Sequence, residues 1–174
     1  LITDYSQMLK DEVALSKEKM NKINLHSIAH SVVDDFNNIY VEKRNIKIDL
    51  KIDNSVKNFT ILGIENWIEQ ILANLLDNAI SFSEDNKKVL VEIKKNKDGK
   101  TTLKVIDQGK GFKEKKLNKI FDRFYSNRPD KFGKHSGLGL NIVKNLVDLH
   151  GGMITAANNT NHSGAMVEIV FPKV

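Results

Sequence analysis

Apolar residues recur along the chain at two different periods, and the switches between them outline the elements. Ile2, Tyr5, Leu9 and Val13 fall at helical spacing among Lys, Glu and Asp, with no Gly or Pro between them, which predicts one amphipathic helix from Leu1 to about Met20. Nothing downstream obviously requires its apolar stripe, so its packing partner is expected to be absent or to be another chain. A second helix is predicted after Asn24, an N-cap residue type, with Leu25, Ile28, Ala29, Val32, Val33, Phe36 and Ile39 inward and an end near Lys43. Ile46, Ile48, Leu50 and Ile52 then alternate with Lys and Asp, the period of a strand with one buried face. Asp53 to Asn58 reads as a turn, and a third helix from about Ile64 to Phe82 points Trp67, Ile68, Ile71, Leu72, Leu75 and Ala79 inward.

Val89, Val91 and Ile93 alternate again, Asp98-Gly99 signals a hairpin, and Leu103 and Val105 follow, so two adjacent antiparallel strands are expected. Gln108 to Ser136 shows no long periodic segment, only a short helix around Glu114 to Ile120; a connection of that length inside a domain reads as a binding loop or lid. The tail predicts a helix from Gly137 to His150, a Gly151-Gly152 stop, a strand from Met153 to Ala157 and a last strand from Ala165 to Phe171. Helices and mainly antiparallel strands in mixed order indicate an α/β fold, a two-layer α/β sandwich. There is no internal repeat and no low-complexity tract.

Composition narrows the function more than the fold. The 174 residues are 40% hydrophobic and carry 27 Lys plus Arg against 22 Asp plus Glu, as one ordinary domain does. No apolar run approaches the roughly 18 residues needed to cross a bilayer, which rules out a transmembrane segment inside the chain. The absence of Cys removes disulfides, thiolate metal sites and cysteine nucleophiles. The first residue is Leu, with no leader pattern, so a fragment of a longer protein is expected. Between Lys110 and Lys134, nine basic residues face three acidic ones, giving +6 where the whole chain has +5. That patch suits a polyphosphate, an anionic membrane or a nucleic acid. The chain has no aromatic RNA-binding signature, zinc-finger spacing or recognition-helix pattern, which disfavours nucleic acid.

Three groups of residues carry candidate chemistry. Gln70, Asn74 and Asn78, at i, i+4 and i+8, place three amides on one face of the third helix. They either bridge neighbouring backbone or offer hard oxygen to a cation such as Mg²⁺. Asp107-Gln108-Gly109-Lys110-Gly111 follows a strand; it is a good turn, and equally a carboxylate able to accept from an exocyclic amine beside glycines that admit a flat ring. Ser136-Gly137-Leu138-Gly139-Leu140 opens the last helix, where free N–H groups and the positive helix end favour phosphate, although a Gly-x-Gly there is also a common packing detail. Neither the Rossmann nor the Walker pattern is present.

Taken together, Gln70-Ile71-Leu72-Ala73-Asn74-Leu75-Leu76-Asp77-Asn78-Ala79, Asp107 to Gly111, Ile120-Phe121-Asp122-Arg123-Phe124-Tyr125, Ser136 to Leu140 and His150-Gly151-Gly152 resemble, in order and spacing, the N, G1, F and G2 boxes of sensor histidine kinases. The resemblance covers about Lys22 to Val174 and implies the GHKL ATP-binding fold with a lid over about residues 112–136. It implies that Asp107 binds the adenine amino group, that Asn78 ligates Mg²⁺ and that Asn74 lies near the phosphates. It also implies that Gly109 and Gly111 border the base and that Ser136, Gly137, Leu138, Gly139 and Leu140 close the helix mouth. Arg123, Tyr125, Lys131 and Lys134 of the lid join the nucleotide contacts, with Asn74 and Arg123 acting in catalysis. Ser81-Phe82 departs from the Lys-aromatic pair usual in the family, so Ser81 is expected to replace a phosphate or lid contact or leave it weaker. In hydrolysing relatives a Glu stands at the position of Asn74; an amide cannot take a proton from water at neutral pH, which suits a kinase.

The resemblance further implies that residues 1–21 are the end of the second dimerisation helix and that the phosphoacceptor His lies elsewhere, since His26 and His30 lack its motif. The short lid with Arg128-Pro129 looks most like the ChvG-type branch. The implied ligands are ATP and Mg²⁺. The implied partners are a dimerisation and phosphoacceptor domain, a second copy in a homodimer and a response regulator, with no nucleic acid, in a cytoplasmic domain of an inner-membrane sensor. Two other readings stay open: a serine kinase of the anti-sigma type, and a nucleotide- or partner-binding module without transfer activity.

Overall fold

The computed structural model of the chain describes residues 19–113, 117–122, 139–159 and 163–174. The helix expected over Leu1 to Met20 lies, up to residue 18, outside the described residues. The elements run β1 (Asn21–Asn24), α1 (Leu25–Arg44), β2 (Lys47–Ile52), β3 (Thr60–Gly63), α2 (Glu65–Phe82), β4 (Lys88–Lys95), β5 (Thr101–Ile106), a 3₁₀ turn (Leu117–Phe121), α3 (Gly139–Leu149), β6 (Met153–Asn158) and β7 (Ala165–Val170). Five strands form one sheet in the order β2-β4-β5-β7-β6, parallel between β2 and β4 and antiparallel elsewhere. The three helices pack beside one another against it, α1 touching β2, α2 touching β4 and β5, and α3 touching β6. The expected two-layer α/β sandwich is the fold found.

Strand register explains why the alternation in the sequence was so clean. Leu50, Val91, Val105, Val167 and Ala156 face one another across all five strands, and Ile52, Ile93, Leu103, Ile169 and Ile154 form the next row. These rows meet the buried faces of the helices, where Ile68, Ile71, Leu72 and Leu76 of α2 are wholly buried. A one-residue slip in any strand would turn its row to water, so the apolar pattern alone specifies the register. The opposite face carries Lys51, Glu92, Lys104, Glu168 and Thr155 in the same cross-strand order.

Two features differ from the sequence expectation. β1 and β3 form a separate antiparallel ribbon, with Ile23 opposite Ile61, that sets the start of α1 beside the start of α2. Four-residue strands carry too few alternations to register as a pattern. Asn24 occupies the N-cap position of α1 and ends β1, but its side chain makes no cap hydrogen bond; Ile39, assigned to the inner face, is 46% exposed near the helix end. His26 and His30 sit on α1 with their rings perpendicular, His26 also perpendicular to the Phe59 ring, consistent with the surface or core role read for them.

Polar side chains tie the layers together at chosen points. Asn37 of α1 holds both backbone groups of Ile48: its Nδ2 donates to the carbonyl at 3.0 Å and its Oδ1 accepts from the N–H at 2.8 Å. Arg44 donates to the carbonyls of Ile80 and Ser83 at the end of α2 and pairs with Asp85 at 2.7 Å. No helix among the described residues is long and apolar enough to cross a membrane.

His150, buried at the end of α3, donates from Nδ1 to the Leu146 carbonyl at 2.7 Å and accepts at Nε2 from the Ile64 N–H at 3.3 Å. Burial holds the imidazole below its ordinary value of about 6.5, against the opposing pull of the Leu146 carbonyl. The unfolded chain therefore takes up this proton before the folded chain does. The stability held by His150 is complete above about pH 6.5 and is lost as pH falls below that toward the folded value. Urea unfolding of the wild type should thus weaken more steeply between about pH 7.5 and pH 5.5 than that of His150→Gln. At about pH 7.5 the variant should be about 1–3 kcal/mol less stable. Parallel pH dependences would show that His150 contributes nothing to the acid response.

Candidate adenine-nucleotide site

The site is assembled where the ends of α2, β5 and α3 meet. Asp107 directly follows β5 and is 3% exposed, yet only one of its oxygens is engaged by the described residues. Oδ1 accepts from the Gly109 N–H at 2.9 Å and from the Ala165 N–H at 3.1 Å, while the Asp107 N–H donates to the Ala165 carbonyl. The first bond closes an Asx turn, and the others knit the residue to the start of β7. Oδ2 accepts no hydrogen bond among the described residues. Burial pushes the carboxyl above the usual carboxylate range, opposed by the two N–H groups on Oδ1.

The loop after Asp107 lies against the end of α2. A Cβ on Gly109 would stand 2.2 Å from the Phe82 carbonyl oxygen, so only glycine lets the loop and the helix end meet. Gly111 takes a φ of +81° and is closed in by Asn158. Phe112 is buried with its ring edge-on to Phe82, centroids 6.1 Å apart.

The three amides of α2 grade from outside to inside along their face: Gln70 is exposed, Asn74 half-buried and Asn78 only 7% exposed. Gln70 Nε2 donates to Asn74 Oδ1 at 2.6 Å, and Asn74 Nδ2 donates to the Gly139 carbonyl at 3.3 Å, so Asn74 reaches the first residue of α3. Leu140, the next residue of α3, is buried. Ser81 turns inward and donates to the Asp77 carbonyl of its own helix at 2.7 Å. Asn141 ties α3 to the 3₁₀ turn by donating to the Phe121 carbonyl at 3.0 Å. Of the expected contact residues, Arg123, Tyr125, Lys131, Lys134, Ser136, Gly137 and Leu138 lie outside the described residues. Those within them converge: Asp107, Gly109 and Gly111 sit at one end of α2, and Asn74 meets Gly139 further along.

The arrangement matches known proteins. A family model described as histidine kinase-, DNA gyrase B- and HSP90-like ATPase matches residues 63–174. The chain belongs to that family. It is 31% identical over 172 residues to the sensor protein ChvG of Agrobacterium fabrum (strain C58), a match covering 95% of this chain and 29% of that protein. It is 28% identical over 156 residues to the sensor protein kinase PmrB of Pseudomonas aeruginosa, covering 90% of this chain and 31% of that protein. The chain thus spans about three tenths of the length of these curated relatives. Among solved structures it is similar to the catalytic domain of histidine kinase ThkA, with a TM-score of 0.75 and 27% identity over 88% of this chain and 95% of that one. It is also similar to full-length ShkA in complex with AMPPNP, with a TM-score of 0.73 and 25% identity over 88% of this chain and 31% of that one. For this ATPase domain the resemblance read from the sequence motifs, including that to the ChvG-type kinases, is borne out.

Sequence reasoning missed two contributors to the site. One is Ala165, whose backbone anchors Asp107 and which no side-chain motif can announce. The other is Asn158, which holds the backbone of Phe112 from 46 positions away.

The buried carboxyl leads to a separation of stability from binding. Because its pKa is raised in the fold, ionised Asp107 opposes folding at neutral pH, and this cost disappears only below the unfolded carboxyl value near pH 3.9. Asp107→Asn should therefore unfold in urea at pH 7 no more easily than the wild type; a clear loss of stability would contradict the buried-charge account. Gly109→Ala should cost about 1–3 kcal/mol, since the Phe82 carbonyl must move aside. The same urea experiment reads that loss, and an unchanged midpoint would show that the two backbones separate freely.

Proposed function

We propose that this chain is the catalytic, ATP-binding domain of a two-component sensor histidine kinase, which transfers the γ-phosphoryl group of Mg·ATP to a histidine on a dimerisation domain. The observation that carries the reading is the half-satisfied carboxylate of Asp107: Oδ1 is fixed by two backbone N–H groups, and Oδ2 accepts no hydrogen bond among the described residues. Adenine presents an exocyclic amine, a donor suited to that oxygen. The similarity to ShkA, whose structure holds AMPPNP, supports the same ligand class here.

On this reading Asn78 gives its amide oxygen to Mg²⁺, and Asn74 lies by the phosphates at the mouth of α3. The described residues hold no group of three or more His, Asp or Glu arranged to bind a metal, so the ion's other ligands are phosphate oxygens and water. Gly137 to Leu140, Ser136, and the lid residues Arg123, Tyr125, Lys131 and Lys134 complete the phosphate side. Asn74 has no basic group for activating water, so the bound nucleotide is kept for transfer instead of hydrolysis. The protein's part in transfer is placement and charge neutralisation: the acceptor nitrogen gains the phosphoryl group and ADP leaves. The partners are the dimerisation domain, a second copy through it, and a response regulator; the parent protein is anchored in the inner membrane, with this domain in the cytoplasm.

Titration calorimetry with ADP, with and without Mg²⁺, tests the reading. The wild type should bind saturably and Asp107→Asn should lose at least about tenfold in affinity, because its amide would face the adenine amine donor to donor. Asn78→Ala should lose the strengthening by Mg²⁺. A folded wild type that binds no ADP, or an Asp107→Asn that binds as well, would overturn the adenine site. Adding the dimerisation domain and ATP should give acid-labile phosphate on histidine; acid-stable phosphoserine would favour the serine-kinase alternative.

A further inference from the structure

We propose that Asn158, the last residue of β6, is a positioning residue for the loop that borders the base and thereby sets the preference for adenine over guanine. The proposal rests on the adenine-site reading above and assigns a role to a residue outside the sequence motifs.

The observation begins with how the loop is held. Residues 108–113 belong to no strand or helix. Among the described residues, every hydrogen bond made by their backbone goes to a side chain. At one end the Gly109 N–H donates to Asp107 Oδ1 at 2.9 Å. At the other end the Phe112 N–H donates to Asn158 Oδ1 at 2.7 Å, and Asn158 Nδ2 donates to the Phe112 carbonyl at 3.1 Å. One primary amide thus gives Phe112 both bonds that a neighbouring strand would give, as Asn37 does for Ile48 in the sheet layer. Gln108 adds a tether outward, its Oε1 accepting from the Lys88 N–H at 3.0 Å.

The geometry around this clamp is tight. A Cβ on Gly111 would stand 2.7 Å from Asn158 Oδ1, so the amide sits directly under the turn of the loop. Fixing Phe112 fixes its ring against Phe82, whose carbonyl limits Gly109 at the other end. Asp107 and Asn158 are therefore the two posts between which the loop is strung. Asp107 provides the chemical contact to the base, and Asn158 determines how far the loop can give way around it.

Selectivity follows from that stiffness. Guanine carries a carbonyl where adenine carries its amine, so beside Asp107 Oδ2 it sets acceptor against acceptor. A rigid loop makes guanine bear that repulsion in full, whereas a loose loop lets the ring slide away from the carboxylate. The phosphates are served by α2 and the mouth of α3 and do not depend on the clamp. Loss of Asn158 should weaken ADP and leave GDP little changed or improved.

The test is calorimetric titration of ADP and GDP into wild type, Asn158→Ala, Asn158→Asp and Asn158→Ser, each shown folded by its urea transition. Asn158→Asp keeps the acceptor for the Phe112 N–H and the side-chain volume, but sets a carboxylate oxygen against the Phe112 carbonyl; it therefore stays informative if the alanine variant unfolds. The ADP-to-GDP affinity ratio should fall about tenfold in the Ala and Asp variants, the scale of one or two lost hydrogen bonds. Asn158→Ser, with one short hydroxyl, should restore part of it. Folded Ala and Asp variants with the wild-type ratio would overturn the proposal while leaving the adenine site intact. Wild type without ADP binding, or binding indifferent to Asp107→Asn, would instead overturn the adenine site and this proposal with it.

Discussion

A buried carboxylate fixed through one of its oxygens at the end of a strand is the interaction on which the candidate site depends. A buried anion is costly unless polar groups surround it, and here the groups are backbone N–H donors, which every substitution except proline leaves in place. Each donor binds a different part of the fold: Gly109 commits the loop to its turn, and Ala165 commits β7 to its register beside β5. Together they hold one oxygen in place and leave the other without a hydrogen bond among the described residues. Burial, which raises the pKa, makes the ionised carboxyl a cost to folding at neutral pH.

The helices extend that logic. α2 carries its three amides on one stripe while its other face is wholly apolar, so burying the core fixes the direction in which the amides point. α3 lies antiparallel to it, with a polar tie near each end: Asn74 to Gly139 at the site and His150 to Ile64 at the far side. Sliding of one helix along the other would break both ties at once. Arg44 adds a third restraint by occupying carbonyls at the end of α2, close to where Phe82 meets the loop. Among the described residues, the candidate site is thus carried by helices and strands, with the loop after Asp107 relying on side-chain clamps.

Most of this was legible because most of it is periodic. Each five-strand row contains one residue from each alternating run, and each long helix shows its stripe, so α1, α2 and β4 fall within a residue or two of their expected bounds. The motifs at Asn74, Asn78, Asp107 and Gly139 were legible for a different reason: their chemistry requires particular residue types at fixed spacing. The β1–β3 ribbon was not legible, because four residues give too short a pattern. Asn24 marked the start of α1 correctly, but residue type alone could not tell that its side chain makes no cap hydrogen bond. Asn158 was hidden by distance along the chain, since its partner is a backbone group and no residue type at position 112 could reveal it.

The outer face of the sheet has a consequence of its own. Lys51, Glu92, Lys104 and Glu168 alternate in sign across four neighbouring strands, with Lys104 and Glu168 3.5 Å apart. Each charge has opposite neighbours within its own sheet, so the row is electrically self-contained and keeps its shell of water. A second sheet laid on it would have to strip that water for no gain in apolar contact. One side of the sheet is therefore proofed against stacking by another sheet.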